Sequence, residues 1–125
     1  MNITPADLTG FHGTANYFKT LTKYLVYTDG VQYFARNGGN DGAYWFIDFV
    51  NFSILPELAN EEFLLVKITV VNNTAVIAAD DGNDHVLFEE KIEYTDLADG
   101  EWRFYIEDGY IGESPVKVLM LPSER

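Results

Sequence analysis

From about Phe63 to Met120 the chain is written in a two-residue period. Leu64, Val66, Ile68 and Val70 fall on one side of an extended segment, with Leu65, Lys67 and Thr69 on the other. Trp102, Phe104 and Ile106 alternate in the same way with Arg103, Tyr105 and Glu107, and Val116, Val118 and Met120 repeat the pattern near the end. A sheet face buried at every second residue needs a covering layer, and this part of the chain has no helical period from which to build one. The cover must come from the first half. Asn72-Asn73 and Asp81-Gly82 are turn dipeptides set between such runs, so consecutive strands are expected to pair antiparallel.

Before Pro56 the pattern changes. Thr4-Pro5-Ala6-Asp7 places proline at a first helical position behind a threonine cap, which predicts a short helix or turn. Tyr17 to Tyr27 fits two patterns, with Thr20, Thr22 and Val26 favouring a strand and Tyr17, Leu21, Tyr24 and Leu25 fitting a helical stripe; it is read as a strand ending near Tyr27. Thr28-Asp29 then opens a short helix through Arg36, stopped by Asn37-Gly38-Gly39. Asp41 is placed as a cap for a helix from Ala43 to about Leu55, which Pro56 ends. On that helix Tyr44, Asp48, Asn51 and Leu55 share one strip, so the rest of its surface calls for burial. The expected fold is α+β: an antiparallel meander of about five strands, with two or three helices from the N-terminal half packed on one face. One domain spans 1–125, mainly helical over 1–56 and an antiparallel sheet over 57–125.

Composition excludes several chemistries. With no cysteine there is no disulfide, no thiolate nucleophile and no cysteine metal site. Twenty acids against eight bases give a net charge of −12, which opposes direct binding to a phosphate backbone. Met1 to Gly10 has neither a basic start nor an apolar run, and Ala43 to Leu55 is too short for the ~20 residues that span a bilayer. A cytoplasmic protein without membrane contact is expected.

Five motifs recur together in an order and spacing of their own: Phe11-His12-Gly13-Thr14 with Tyr17; Tyr27-Thr28-Asp29-Gly30-Val31-Gln32-Tyr33 with Ala35; Ala43-Tyr44-Trp45-Phe46-Ile47-Asp48; Ile92-Glu93-Tyr94-Thr95-Asp96; and Leu119-Met120-Leu121-Pro122-Ser123-Glu124. In these the chain resembles a family of small uncharacterised bacterial proteins, a domain of unknown function met on plasmids and phage-like elements. It departs from that pattern at Asn40-Asp41-Gly42 and in the loop Gly109 to Ser114. The resemblance carries no activity, catalytic residue or cofactor, and bears on the extent of the fold, not on function; that the chain is an accessory protein of a mobile element is an expectation resting on its acidic segment and the absence of a catalytic motif.

Two sets of residues are candidates for function. Asp29, Tyr33, Tyr44, Trp45 and Asp48 are the candidate ligand-binding set. Asp48 in an apolar helix would be desolvated and could serve as a general acid or base in an aromatic-lined cleft. The plainer reading makes Asp48 a hydrogen-bonded structural group and Asp29 a helix cap. The second set follows from charge. Asp80 to Glu113 holds twelve acids against Lys91 and Arg103, so −10 of the −12 lies in 34 residues. Glu89, Glu93, Asp96, Glu101, Glu107 and Asp108 are the candidate partner-binding residues. On one outward face they would compete with nucleic acid for a protein partner with a basic surface; the plainer reading is a charged face that keeps the protein soluble.

Asp80-Asp81-Gly82-Asn83-Asp84 lacks EF-hand spacing and reads as a turn, and His12 and His85 have no partners at metal-site spacing. No metal or cofactor is therefore assigned, and no catalytic residue. Self-association through an exposed strand or aromatic patch, giving a homodimer, is a third reading.

Overall fold

A computed structural model describes residues 3–125. The part of the leader reading that rests on Met1 and Asn2 lies outside the described residues. In order the chain forms a 3-10 turn (Pro5–Leu8), β1 (Tyr17–Lys19), β2 (Leu25–Thr28), α1 (Asp29–Asn37), α2 (Tyr44–Phe49), a π-helical segment (Val50–Ile54) and α3 (Leu55–Leu58). Then follow β3 (Phe63–Val71), β4 (Thr74–Asp80), β5 (Val86–Ile92), β6 (Gly100–Ile111), β7 (Ser114–Met120) and a last 3-10 turn (Pro122–Glu124).

The fold is α+β, but the sheet has seven strands and is mixed, where about five in an antiparallel meander were expected. Its order is β1-β2-β7-β6-β3-β4-β5. The hairpins β1–β2, β3–β4, β4–β5 and β6–β7 follow the short-connection rule. Two steps depart from a meander. The chain returns from the β5 edge to place β6 against β3, and β7 then lies parallel to β2. The division at residue 56 is corrected with it, because β1 and β2 extend a sheet that was assigned to 57–125 alone. Local pattern could not show this. Val26 of β2 packs with Val116 and Val118 in a second small cluster on the sheet face away from the helices, a pairing between opposite ends of the chain.

The alternating side chains bury as their period requires. Leu64, Val66, Ile68, Val70, Trp102, Phe104 and Ile106 are all buried. Phe34 of α1 meets Trp102 and Phe104 at ring-centroid distances of 5.3 and 4.9 Å, and Phe46 of α2 meets Phe104 at 4.6 Å. Such aromatic contacts add about 0.5–1.5 kcal/mol each beyond burial. Phe49 reaches outward along the same face to Phe88 of β5, at 5.8 Å. Both helical segments thus cover one face of the sheet. The Asn72-Asn73 turn is as tight as expected, both residues taking positive φ (50° and 64°).

Pro56 does not end the second helical segment, which runs on to Leu58. Proline lacks an N–H, and its ring collides with the carbonyl four residues back. The chain answers with a wide turn just before it: the Leu55 N–H bonds to the Val50 carbonyl, five residues earlier. That turn also breaks the expected strip. Tyr44 and Asp48 are exposed, whereas Asn51 (7% exposed) and Leu55 are turned inward. Asp41 caps nothing here; the helix begins at Ala43 without a side-chain cap. Among the described residues no helix is long and apolar enough to cross a membrane.

A candidate binding cleft beside the β1–β2 turn

The β1–β2 turn is held by its own hydroxyls. Thr20 Oγ1 donates to the Leu25 carbonyl at 2.9 Å, and Lys23 takes a positive φ of 60°. Thr22 Oγ1 donates to Asn51 Oδ1 at 3.0 Å, fastening the turn to the π-helical segment. Asn51 faces inward four residues after buried Ile47, on the same side of the helical segment, and so can hold the hairpin.

Between hairpin and helix lies a shallow cleft of about 330 Å³, lined by Lys19, Thr20, Leu21, Tyr27, Tyr44, Ile47 and Asp48. Tyr27 stacks on Phe18 at 5.4 Å, and burial, followed by the charge of the Tyr44 phenol, pushes its hydroxyl above the ordinary tyrosine value. Tyr44 Oη donates to Gln32 Oε1 at 3.1 Å, which fixes the ring against α1. Leu21 stands almost wholly in solvent (89% exposed), beside half-exposed Tyr44 (44%). Phe52, turned outward next to inward-facing Asn51, is 59% exposed. Leu21, Tyr27, Tyr44 and Ile47 thus share the cleft lining with the Asp48 carboxylate, the Lys19 ammonium and the Thr20 hydroxyl, and Phe52 lies outside it.

Of the five ligand-set residues, the cleft gathers only Tyr44 and Asp48. Asp48 is exposed and not desolvated as expected, because it lies on the outer side of α2. Asp29 works elsewhere. Its carboxylate accepts from the Ala15 N–H (2.8 Å), the Asn16 N–H (3.3 Å) and the Asn16 amide (3.1 Å). The Ala15 N–H, ahead of the Asn16 side chain, holds the Asp29 carboxyl below the usual carboxylate range. Tyr33 packs on Phe11 at 5.3 Å and Trp45 lies edge-on to Phe46 at 6.2 Å, both outside the cleft lining. Lys19, Leu21 and Tyr27 were missed by sequence reasoning, since only the hairpin's docking brings them to α2.

The six partner-set carboxylates do not form one plate. Glu101 pairs with Arg103 (2.7 Å), Glu107 with Arg125 (2.7 Å) and Asp108 with buried Lys117. Asp96 Oδ2 accepts the Asn40 N–H at 2.8 Å and pins the turn after α1. Glu89 and Glu93 remain exposed, on the bare face of β5 and in the loop after it. Glu89, Glu101 and Glu107 share the bare face of the sheet, Asp108 beside Glu107 projects to the other and Asp96 lies in a loop, and three of the eight bases lie within reach of the set.

The Asp80–Asp84 loop is turn chemistry. Asp80 accepts from the Gly82 N–H (2.7 Å) and Asp81 from the Asn83 N–H (2.9 Å). His85 Nδ1 lies 3.0 Å from Asp81 and, as the leading cause, lowers that carboxyl's pKa. Among the described residues, no group of three or more histidines and carboxylates is arranged to hold a metal. A larger apolar cleft of about 380 Å³ lies where the first 3-10 turn, the start of β6 and the last 3-10 turn meet. Its charged groups, Glu101 and Arg103, pair with each other.

One buried carboxylate does architectural work that the sequence did not announce. Glu124 Oε1 accepts from Thr28 Oγ1 (2.6 Å) and the Leu121 N–H (2.9 Å), and Oε2 from the Gly30 N–H (2.9 Å). It caps α1 from the far end of the chain, where the helix dipole favours negative charge. A Cβ on Gly30 would come within 2.6 Å of that carboxylate, so the helix start needs glycine there.

No curated protein and no solved structure matches the chain. Its sequence matches the Family of unknown function (DUF6876) over residues 2–125. The match takes in the motifs distributed from Phe11 to Glu124, and the chain is a member of that family.

Proposed function

We propose that this chain is a non-catalytic protein-interaction module whose cleft beside the β1–β2 turn receives an apolar side chain from a partner with a basic surface. The observation that carries the reading is Leu21, almost fully exposed against Tyr44, Ile47 and Asp48. Contiguous exposed apolar groups around a polar centre mark interaction sites. The cleft is open and shallow, whereas small-molecule sites enclose most of their ligand. Asp48 offers a carboxylate to a Lys or Arg beside the apolar anchor.

The remaining acids enter as a field. A net charge of −12 attracts a cationic partner at long range and raises its encounter rate, and salt weakens both effects. This reading needs no phosphate-like spacing of carboxylates. A nucleic-acid mimic would need it, and the partner set offers only Glu89 and Glu93 free of contacts.

Selection from a random displayed peptide library tests the proposal. Enriched sequences should pair a large apolar residue with Lys or Arg. Their binding should fall at least about tenfold with Leu21→Asp and with Asp48→Lys, the loss expected of an anchor residue. No enrichment, or peptides that bind both variants as well as the parent, overturns it.

A further inference from the structure

We infer that two copies of this chain join through the outer edge of β5 into one continuous sheet, paired antiparallel about a two-fold axis at Glu90. β5 is the last strand of the sheet, with β4 on its inner side only. It is seven residues long, whereas the opposite edge, β1, has three. Its side chains are mostly exposed, Val86 and Leu87 among them. A long edge with free N–H and C=O groups is a template for another strand.

The occupant follows from the residues. Register with β4 sets Phe88, Glu90 and Ile92 on the helix-bearing face, opposite Ala79, Ile77 and Ala75. Glu89 and Lys91 lie on the bare face, opposite Ala78 and Val76. An antiparallel pair with its axis at Glu90 places Glu89 directly across from Lys91 of the second copy, twice over. It also places Phe88 across from Ile92, twice. Opposite charges and apolar pairs directly across a ladder stabilise it, and like charges do the reverse.

Neighbouring registers lose this match. With the axis at Glu89, that residue faces itself and Phe88 faces Glu90. With the axis at Lys91, that residue faces itself and Glu89 faces Glu93. An axis between two residues would set side chains of the bare face across from side chains of the helix-bearing face, which a regular antiparallel ladder does not allow. The favoured register carries its costs at Glu90, which faces its own copy and supplies the test, and at the strand's end, where Leu87 faces Glu93. The net charge of −12 on each copy also opposes contact, so the association is weak and is best read at ~0.15 M salt, where the screening length is about 8 Å.

Sedimentation velocity over roughly 1–100 µM, the range of weak specific contacts, tests the inference. A concentration-dependent dimer is expected. Glu90→Gln should tighten it about threefold by removing the repulsion, and Lys91→Glu should weaken it about 30-fold by turning two attractive pairs into repulsive ones. The exchange Glu89→Lys with Lys91→Glu should restore the parent affinity within about threefold. Thermal melting monitors folding, which these exposed positions leave unchanged. Leu21→Asp, at the cleft, should leave the dimer intact, which separates this result from the peptide selection. A strict monomer for both parent and Glu90→Gln overturns the inference, as does a dimer that Lys91→Glu leaves unaffected or that the charge exchange fails to restore.

Discussion

Replacing Glu124 with alanine removes the acceptor for two backbone N–H groups, Gly30 and Leu121, and for the Thr28 hydroxyl. A buried donor left without an acceptor costs about 1–3 kcal/mol. The hydroxyl can turn to another partner, so the two N–H groups set the scale at about 2–6 kcal/mol. Glu124 lies close enough to the surface for water to enter its place, which pulls the expectation to about 3 kcal/mol. For 125 residues the melting entropy is about 0.26 kcal/mol/K, so the melting temperature should fall by about 11 °C. Glu124→Gln keeps one acceptor oxygen but turns an NH₂ toward a donor, and should cost about half as much. Calorimetry of both variants checks the order. A cycle with Thr28→Val checks the mechanism, because groups in one network should couple by at least about 0.5 kcal/mol. A loss under about 2 °C for Glu124→Ala, or strict additivity with Thr28→Val, would refute the reasoning that a C-terminal carboxylate holds the start of α1.

Two further outcomes follow from local geometry. A Cβ at Gly39 would lie 2.0 Å from Asp96 Oδ1, at a φ of +67° that disfavours any side chain, so Gly39→Ala should cost at least about 2 kcal/mol in denaturant titration. Asp29→Asn should release the loop at 14–16. Since the Asp29 carboxyl is held below its ordinary value, its stabilisation is complete above about pH 4 and disappears as acid protonates it below that. Hydrogen exchange at the Ala15 and Asn16 amides should show protection near neutrality, loss on acidification, and no protection at any pH in Asp29→Ala.

The sequence by itself determined what depends on near neighbours. The two-residue period of β3 and β6 stated which side chains enter the core, since alternation is a property of any extended chain. Asn72-Asn73 announced its turn, and Thr28-Asp29 announced the start of α1, for equally local reasons. The tertiary structure decided the rest. The parallel union of β2 with β7 and the capping of α1 by Glu124 join residues more than 90 positions apart, and nothing in either partner's own surroundings encodes the other. Asp48 looked desolvated because its helix is apolar, yet burial depends on which side of that helix the sheet occupies. The docking of the β1–β2 turn on Asn51 then set Lys19, Leu21 and Tyr27 beside Tyr44 and Asp48, residues that no local pattern brings together. The acids were legible as a count, but their position was not. Ion pairs depend on the fold, and the folded chain brings Arg103, Lys117 and Arg125 against three of these acids.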